Sequence, residues 1–226
     1  MNAEAHNRKS ASCSAGSVIQ MSRNLLHVKR MGITDYVSTW RAMQYFTAQR
    51  NVDTMDELWL LQHLPVFTLG LNGKPDNLPR NSLAPLVKTD RGGQITYHGP
   101  GQIVAYLMLD LMRLSIGVRE LVMRMEESII HLLQGYSVSA HSRVDAPGVY
   151  VDGSKIAALG LRVRKGCCYH GLALNVDLDL RPFRAINPCG YPGMQVTQLR
   201  DLGVDDSLDV VTEKLADKLV HHLCNV

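Results

Sequence analysis

The chain has 226 residues, of which 46% are hydrophobic and 20% are charged. This length and composition are typical of a globular protein that buries a good core in one large or two small domains. The formal net charge of +3 gives no support for nucleic-acid binding, and no apolar run is long enough to cross a membrane. We therefore expect neither a nucleic acid nor a membrane as a partner.

The cysteines and the N-terminus indicate a reducing compartment. The number of cysteines is odd, and two of them are adjacent. They are Cys13, Cys167, Cys168, Cys189 and Cys224. The first 20 residues are polar and lack the apolar centre of a secretory signal. We expect a cytoplasmic protein with free thiols, a disordered lead over 1–20 and a single domain over 21–226.

Apolar residues at spacings of three and four predict three amphipathic helices, at 35–49, 118–134 and 208–223. Gly135 is a plausible end for the second helix, and Asp206 or Ser207 is a plausible cap for the third. A shorter amphipathic helix is predicted at 54–63.

Six segments are predicted to be strands, at 65–69, 94–98, 102–109, 148–152, 155–164 and 168–177. The run 103–109 is apolar on both faces and therefore predicts a central strand. Asp152 and Gly153 predict a hairpin turn that puts Lys155 at the start of its second arm. Paired strands with interspersed helices predict an α+β fold around a mixed or mostly antiparallel sheet flanked by helices.

Residues 91–102 form the densest glycine loop of the chain, with four glycines. Glycines let a backbone approach a ligand closely, so the loop is a candidate binding segment. It is neither a phosphate loop of the Gly-Lys-Ser/Thr type nor a dinucleotide fingerprint. The alternative is a pair of tight turns around a short strand. His98, inside the loop, is either a general base, a substrate-orienting group or a hydrogen-bonded structural histidine.

Cys167, Cys168, His170 and Cys189 raise the question of a zinc site. They lack the usual paired cysteine spacing, and adjacent cysteines project to opposite faces of a strand. No metal is therefore expected, and Cys167 and Cys168 are interpreted as small residues that pack in the sheet.

Cys189 stands between Pro188 and Gly190, on a predicted tight turn that presents its thiol. Lys155 directly precedes an apolar run, which draws its ammonium toward buried surface. A nearby cation lowers the pKa of a thiol and makes it a nucleophile. The two residues predict a Cys–Lys acyl-transfer site if the fold brings them together. Taken singly, a lysine such as Lys155 is more often a surface residue near a turn, and Cys189 by itself is ambiguous.

Several strings of the sequence resemble the lipoyl(octanoyl) transferase family, in order over about residues 24–203. They are residues 91–102, 148–151, 155–157, 169–176 and 187–190. The resemblance implies the α+β fold shared with biotin and lipoate protein ligases. Leu64 and Ala158 depart from the family pattern, which more often has Pro and Ser there.

The resemblance also implies a function and its residues. An octanoyl group would pass from acyl carrier protein, through a thioester on Cys189, to a lysine of lipoyl domains in 2-oxoacid dehydrogenases and in glycine cleavage H protein. Lys155 would lower the pKa of the thiol, and no cofactor is needed beyond the phosphopantetheine of the carrier. The implied substrate-binding residues are Arg91, Gly92, Gly93, Gln94, Ile95, Thr96, Tyr97, His98, Ala158, Leu159, Gly160, Gly171, Leu172 and Ala173.

Three other functions remain compatible with the sequence. An ATP-dependent lipoate or biotin ligase of the same fold would use free acid and no catalytic cysteine. A non-catalytic scaffold would only bind lipoyl domains. A cysteine thioesterase would pass the acyl group to water instead of an amine.

Overall fold

The computed structural model describes residues 17–20, 25–73, 83–186 and 193–224. A sheet of eight strands runs through this part of the chain. Its strands are β1 Ser17–Gln20, β2 Leu25–Thr34, β3 Asp56–His63, β7 Gln102–Asp110, β8 His141–Ser142, β9 Gly148–Val151, β10 Ser154–Arg164 and β11 Cys167–Asn175. Their spatial order is β1-β2-β3-β7-β11-β10-β9-β8. Only β2 and β3 pair in parallel among these neighbours, so the sheet is mixed and mostly antiparallel.

A second sheet has three strands and lies against one face of the large one. Its strands are β4 Val66–Leu69, β5 Leu86–Lys88 and β6 Ile95–His98, in the order β5-β4-β6. Strand β6 is the middle of the predicted glycine loop. The small sheet therefore carries the loop residues toward the centre of the large sheet.

Four α-helices flank the large sheet: α1 Tyr36–Gln49, α2 Leu111–Leu114, α3 Val118–Gln134 and α4 Leu208–Cys224. Helices α3 and α4 pack on one face, where they share the main hydrophobic core with β7, β10 and β11. Helix α1 lies on the other face, where Met43 packs against Trp59 and Tyr106. The second face is the one that holds the functional site described below.

The predicted α+β class is confirmed, and the long helices match closely. Asp35 caps α1 through a 2.8 Å hydrogen bond from Ser38 N, and Ser207 Oγ accepts from Val210 N at the start of α4. Strand β7 is central and buried along almost its whole length. Asp152 and Gly153 have φ angles of 48° and 79° and form the predicted turn between β9 and β10.

Two predictions were wrong for described residues. The segment predicted as a helix at 54–63 forms strand β3, which pairs with β2 and β7 at its two edges. It is buried on both faces because Leu58 and Leu60 pack in the main core, whereas Trp59 and Leu61 pack with Met43 of α1. Within the predicted disordered lead, Ser17–Gln20 form a strand paired with β2, and residues 1–16 lie outside the described part. Strands β2, β5 and β8 were not predicted.

In the described part of the chain, none of the helices has both the length and the apolar character needed to cross a bilayer.

Candidate active site

Lys155 lies at the start of β10 and is almost completely buried, with 3% of its surface exposed. Its Nζ donates to the carbonyl oxygen of Pro147 at 3.2 Å and stands 5.1 Å from the ring centre of Tyr150. Burial raises the pKa of the nearby Glu126, while its hydrogen bond from Gly148 N and the charge of Lys155 act in the opposite direction. The fold thus holds a buried amine in a partly polar corner beside a carboxyl group.

Cys189 lies outside the described residues, but the chain that follows it is fixed on Lys155. The amide of Lys155 donates to Gln195 O at 2.9 Å, and Thr197 N donates to Lys155 O at 3.0 Å. Val196 forms a parallel bridge with Lys155. The segment beginning four residues after Cys189 therefore resumes alongside the lysine.

A cleft lies between the glycine loop and the face of the large sheet. The residues that line it are Arg91, Gly93, Gln94, Ile95, Thr96, His98, Val104, Tyr106, Ala158, Leu159, Gly160, Gly171, Leu172 and Ala173. They come from three segments far apart in the sequence, which meet because β10 pairs with β11 and β11 pairs with β7. All but two of the predicted substrate-binding residues line this one cleft. Their binding role stays a prediction.

The two exceptions lie close by. Gly92 lines a neighbouring cavity of about 400 Å³. Tyr97 points away from the cleft, and its ring packs 5.2 Å from Phe67 and 5.7 Å from Phe183. Because side chains alternate along β6, Tyr97 supports the small sheet while Thr96 and His98 face the cleft.

A third, small cavity adjoins both the cleft and Lys155. Its lining includes Lys155, Gln102 and Asn175, and it shares Thr96 and Ala158 with the cleft. Lys155 and the predicted binding cleft are therefore neighbours, and both border Thr96 and Ala158.

Arg91 ties the glycine loop to the small sheet. Its guanidinium is buried and donates to Thr68 O at 2.6 Å, to Thr68 Oγ1 at 2.8 Å and to Gln94 O at 2.8 Å. Gly92 N donates to Leu161 O at 2.8 Å, which attaches the loop to the edge of β10. These bonds attach the guanidinium, which also lines the cleft, to the small sheet.

His98 is a hydrogen-bonded neutral imidazole. Its Nδ1 lies 2.7 Å from Gln102 Oε1, and the Gln102 amide group donates to Asn175 Oδ1, so Nδ1 must carry the proton. Thr68 Oγ1 accepts from Arg91 and lies 3.3 Å from Nε2, where its own proton can be donated. Burial holds the pKa of His98 well below its ordinary value. The geometry favours the structural alternative for His98 over the general base.

A partly buried cluster around Asp90 was missed from the sequence. Its carboxylate accepts hydrogen bonds from Trp40 Nε1 at 2.7 Å, from Gln44, from Tyr169 and from His170 Nε2 at 3.1 Å. Burial raises the pKa of Asp90, but these hydrogen bonds together lower it below its ordinary value. His170 has a φ of 64°, a strained conformation of the kind that collects at functional sites. The cluster joins the base of the glycine loop to α1 and β11.

Cys167 and Cys168 occupy the sheet as expected. Cys168 lies in the core and donates to Leu107 O at 3.3 Å, and burial raises its pKa to about 12. Cys167, on the opposite face, is half-buried, and burial raises its pKa too. Neither thiol has the lowered pKa that a nucleophile needs.

The family model described as lipoyl protein ligase A/B catalytic domain matches residues 35–220. The chain belongs to this family. The lipoyl protein ligase A/B match spans all the cleft segments, Lys155 and Cys189.

Curated relatives in this family resemble the chain at high identity. An octanoyltransferase of Nitrosospira multiformis is 60% identical over 194 residues, which cover 86% of this chain and 90% of that protein. An octanoyltransferase of Azoarcus sp. strain BH72 is 60% identical over 199 residues, which cover 88% of each. The chain is accordingly an acyltransferase of the lipoyl protein ligase A/B family, as the resemblance implied.

Solved structures share the fold at low identity. The bi-partite lipoate protein ligase of Thermoplasma acidophilum superposes with a TM-score of 0.71 at 16% identity, over 90% of this chain and 84% of that one. A biotin protein ligase from Aquifex aeolicus gives a TM-score of 0.56 at 13% identity, over 89% and 70% of the two chains. The predicted fold relationship with biotin and lipoate protein ligases is thereby confirmed.

Proposed function

We propose that this acyltransferase moves an octanoyl group from the phosphopantetheine thioester of acyl carrier protein to the side-chain amine of a lysine in a lipoyl domain. The observation that carries the proposal is the buried Lys155, which lines a small cavity adjoining the cleft at Thr96 and Ala158. The high identity to curated octanoyltransferases supports the choice of acyl group.

Cys189 is the proposed nucleophile. The main-chain pairing of Lys155 with Gln195 and Thr197 supports it, because these bonds hold the chain that resumes after Cys189 against the main chain of Lys155. A neighbouring ammonium favours the thiolate over the thiol and so prepares the sulfur for attack. Cys167, Cys168 and Cys224, whose thiols have pKa values raised by burial, do not compete for this role.

The chemistry balances in two steps. The Cys189 thiolate attacks the acyl carbonyl and expels the pantetheine thiolate, which takes a proton from Lys155. The amine of the lipoyl domain then attacks the acyl-cysteine, gives up one proton to Lys155 and restores the thiolate as an amide forms. Exchange of one thioester for another is near thermoneutral, so neither ATP nor a further cofactor is required. The double displacement predicts ping-pong kinetics.

Lys155 rather than His98 is proposed as the group that moves the proton. Both His98 ring nitrogens are already engaged, with Gln102 and Thr68. Burial also holds the pKa of His98 well below its ordinary value, which makes it a poor proton acceptor at neutral pH.

The test is intact mass after mixing with octanoyl-carrier protein. One octanoyl adduct should appear on Cys189 and then disappear as a lipoyl domain gains the same mass. Cys189→Ser should abolish the adduct, whereas Cys224→Ser should retain it. Absence of an adduct on the parent protein, or product formation that needs free acid and ATP, would instead support a ligase. Release of free octanoate despite the presence of the lipoyl domain would indicate a thioesterase. Normal lipoylation by Cys189→Ala in a cell that lacks its own transferase would indicate a scaffold.

A further inference from the structure

The strand register shows how the cleft runs from Lys155. Ala158 on β10 faces Ala173 on β11, which faces Val104 on β7. Two residues further along, Gly160 faces Gly171, which faces Tyr106. The cleft therefore crosses from β10 to β7, and Tyr106 stands at its far side.

The Lys155 amine lies at the side opposite Tyr106. Lys155 Nζ bonds to Pro147 O, and the next residue, Gly148, pairs with Ala158. The amine thus lies near β9, at the level of Ala158. Strands β9, β10, β11 and β7 are consecutive neighbours. The Lys155 amine, near β9, is therefore separated from Tyr106 on β7 by three strand spacings of about 4.8 Å across the sheet and by about 7 Å along the strands.

The resulting separation is roughly 16 Å. An extended eight-carbon acyl chain is roughly 9 Å long, and a van der Waals contact of about 3.5–4 Å at each end accounts for the rest. An octanoyl group with its carbonyl near the amine would therefore reach Tyr106 with its last carbon.

Tyr106 is held rigidly at this position. Only 4% of its surface is exposed, and its hydroxyl lies 2.7 Å from His63 Nε2. His63 Nδ1 lies 3.2 Å from Thr34 O, which can only accept, so Nδ1 carries the proton and Nε2 accepts from the tyrosine. His170 packs edge-on against the tyrosine ring at 5.8 Å.

The two side chains that contact Tyr106 at this end, His63 and His170, are neutral imidazoles. Burial lowers the pKa of His63 to about 4 and the pKa of His170 below its ordinary value, and it raises the pKa of Tyr106. The tyrosine proton is directed at His63 and away from the cleft. The last carbon of an acyl chain can contact such a neutral ring without leaving a buried polar group unpaired.

We propose that Tyr106 ends the acyl pocket and sets its preferred chain length at eight carbons. The inference rests on the proposed function, since it takes the acyl carbonyl to lie beside Lys155. It names the residue that limits the length of the acyl chain, a role that none of the predicted site residues has.

The test is a competition. Equal amounts of hexanoyl-, octanoyl-, decanoyl- and dodecanoyl-carrier protein are mixed with the enzyme, and the adducts are resolved by intact mass. The parent protein should form mainly the octanoyl adduct. Tyr106→Ala should raise the decanoyl-to-octanoyl ratio by about tenfold, because two further methylenes become buried. Tyr106→Leu leaves a smaller cavity than Tyr106→Ala and should shift the ratio in the same direction. It serves as the test if the alanine variant does not fold.

Two control variants distinguish a change in acyl-chain preference from a general loss of stability. Tyr106→Phe keeps the ring and should keep the octanoyl preference. Leu109→Ala removes a buried side chain from the opposite face of the same strand, so it should lower stability without changing the ratio. Unchanged ratios in both Tyr106→Ala and Tyr106→Leu, or an equal shift in Leu109→Ala, would overturn the proposal. A parent protein that forms no adduct would overturn the proposed function instead, and the two failures are therefore distinguishable.

Discussion

Asn175 Nδ2 donates a 2.9 Å hydrogen bond to the carbonyl oxygen of Thr197. Thr197 is bonded in turn to Lys155 O, and Asn175 Oδ1 accepts from Gln102 at 2.9 Å. One buried amide thus joins three parts of the site: the end of the glycine loop, the strand that carries the amine and the chain that follows Cys189. Asn175 thereby ties Thr197 and the strand of Lys155 to the end of the glycine loop.

Asn175→Asp should break the hydrogen bond that joins Asn175 to Thr197. A carboxylate can still accept from Gln102 but cannot donate to Thr197 O, so two acceptors would face each other. We expect a loss of about 1–3 kcal/mol in the free energy of unfolding and slower acyl loading, measured by urea denaturation and by the rate of adduct formation. Asn51→Asp, at an exposed turn, is the control and should change neither. Loading at the parent rate would show that the Asn175–Thr197 bond does not position the nucleophile segment.

Lys155→Met should raise the pKa of the Cys189 thiol, because the ammonium that favours the thiolate is removed while the buried volume is retained. Each unit of increase would slow alkylation at neutral pH about tenfold. The measurement is the pH profile of iodoacetamide labelling at Cys189, read by peptide mapping. The control is Lys88→Met, which alters an exposed lysine on β5. An unchanged profile would remove Lys155 from its proposed role, whatever happens to turnover.

The three buried histidines should make the fold sensitive to mild acid. Burial lowers the pKa of His63 from 6.5 to about 4, and the pKa values of His98 and His170 are lowered as well. As pH falls below 6.5 the unfolded chain binds protons that the folded chain does not. Stability is therefore full above that value and is lost toward pH 4, by about 1.4 kcal/mol per pH unit for each histidine.

Urea titrations between pH 7 and pH 5 test this slope. His63→Gln should flatten it by about one proton, whereas His141→Gln, on the exposed strand β8, should leave it as it is. A slope that His63→Gln does not change would mean that His63 is not neutral in the fold.

Gly160→Val should push the glycine loop off the sheet. A Cβ at this position would lie 3.0 Å from Gly92 O and 3.4 Å from Arg91 Cδ, both in the loop that covers the cleft. A displacement of the order of 1 Å can reduce a rate by about a hundredfold, so we expect adduct formation to slow by at least tenfold. Gly117→Ala is the control, because nothing lies within 4 Å of its Cβ. Equal loading by the two variants would show that the loop contact at Gly160 does not shape the site.

Local patterning was sufficient to predict much of the architecture. Helices α1, α3 and α4 follow from apolar residues on one face, and the central position of β7 follows from a run that is apolar on both faces. The turn at Asp152 and Gly153 follows from residue types that accept a positive φ. These features depend on neighbours in the sequence, so the sequence carries them directly. The family resemblance, in turn, supplied the candidate residues of the cleft.

Non-local pairing decided the rest. The segment Asp56–His63 is a strand because β2 and β7 bond to both of its edges, and no periodicity within eight residues encodes those partners. Ala158, Gly171 and Val104 line one cleft only because the registers of β10, β11 and β7 bring them level. Tyr106, Asp90 and Asn175 look like ordinary core or loop residues in the sequence, since their significance lies in hydrogen bonds to partners that are distant along the chain. The chemical character of each residue follows from the sequence alone. The distances between these residues depend on how the strands pair in the folded sheet.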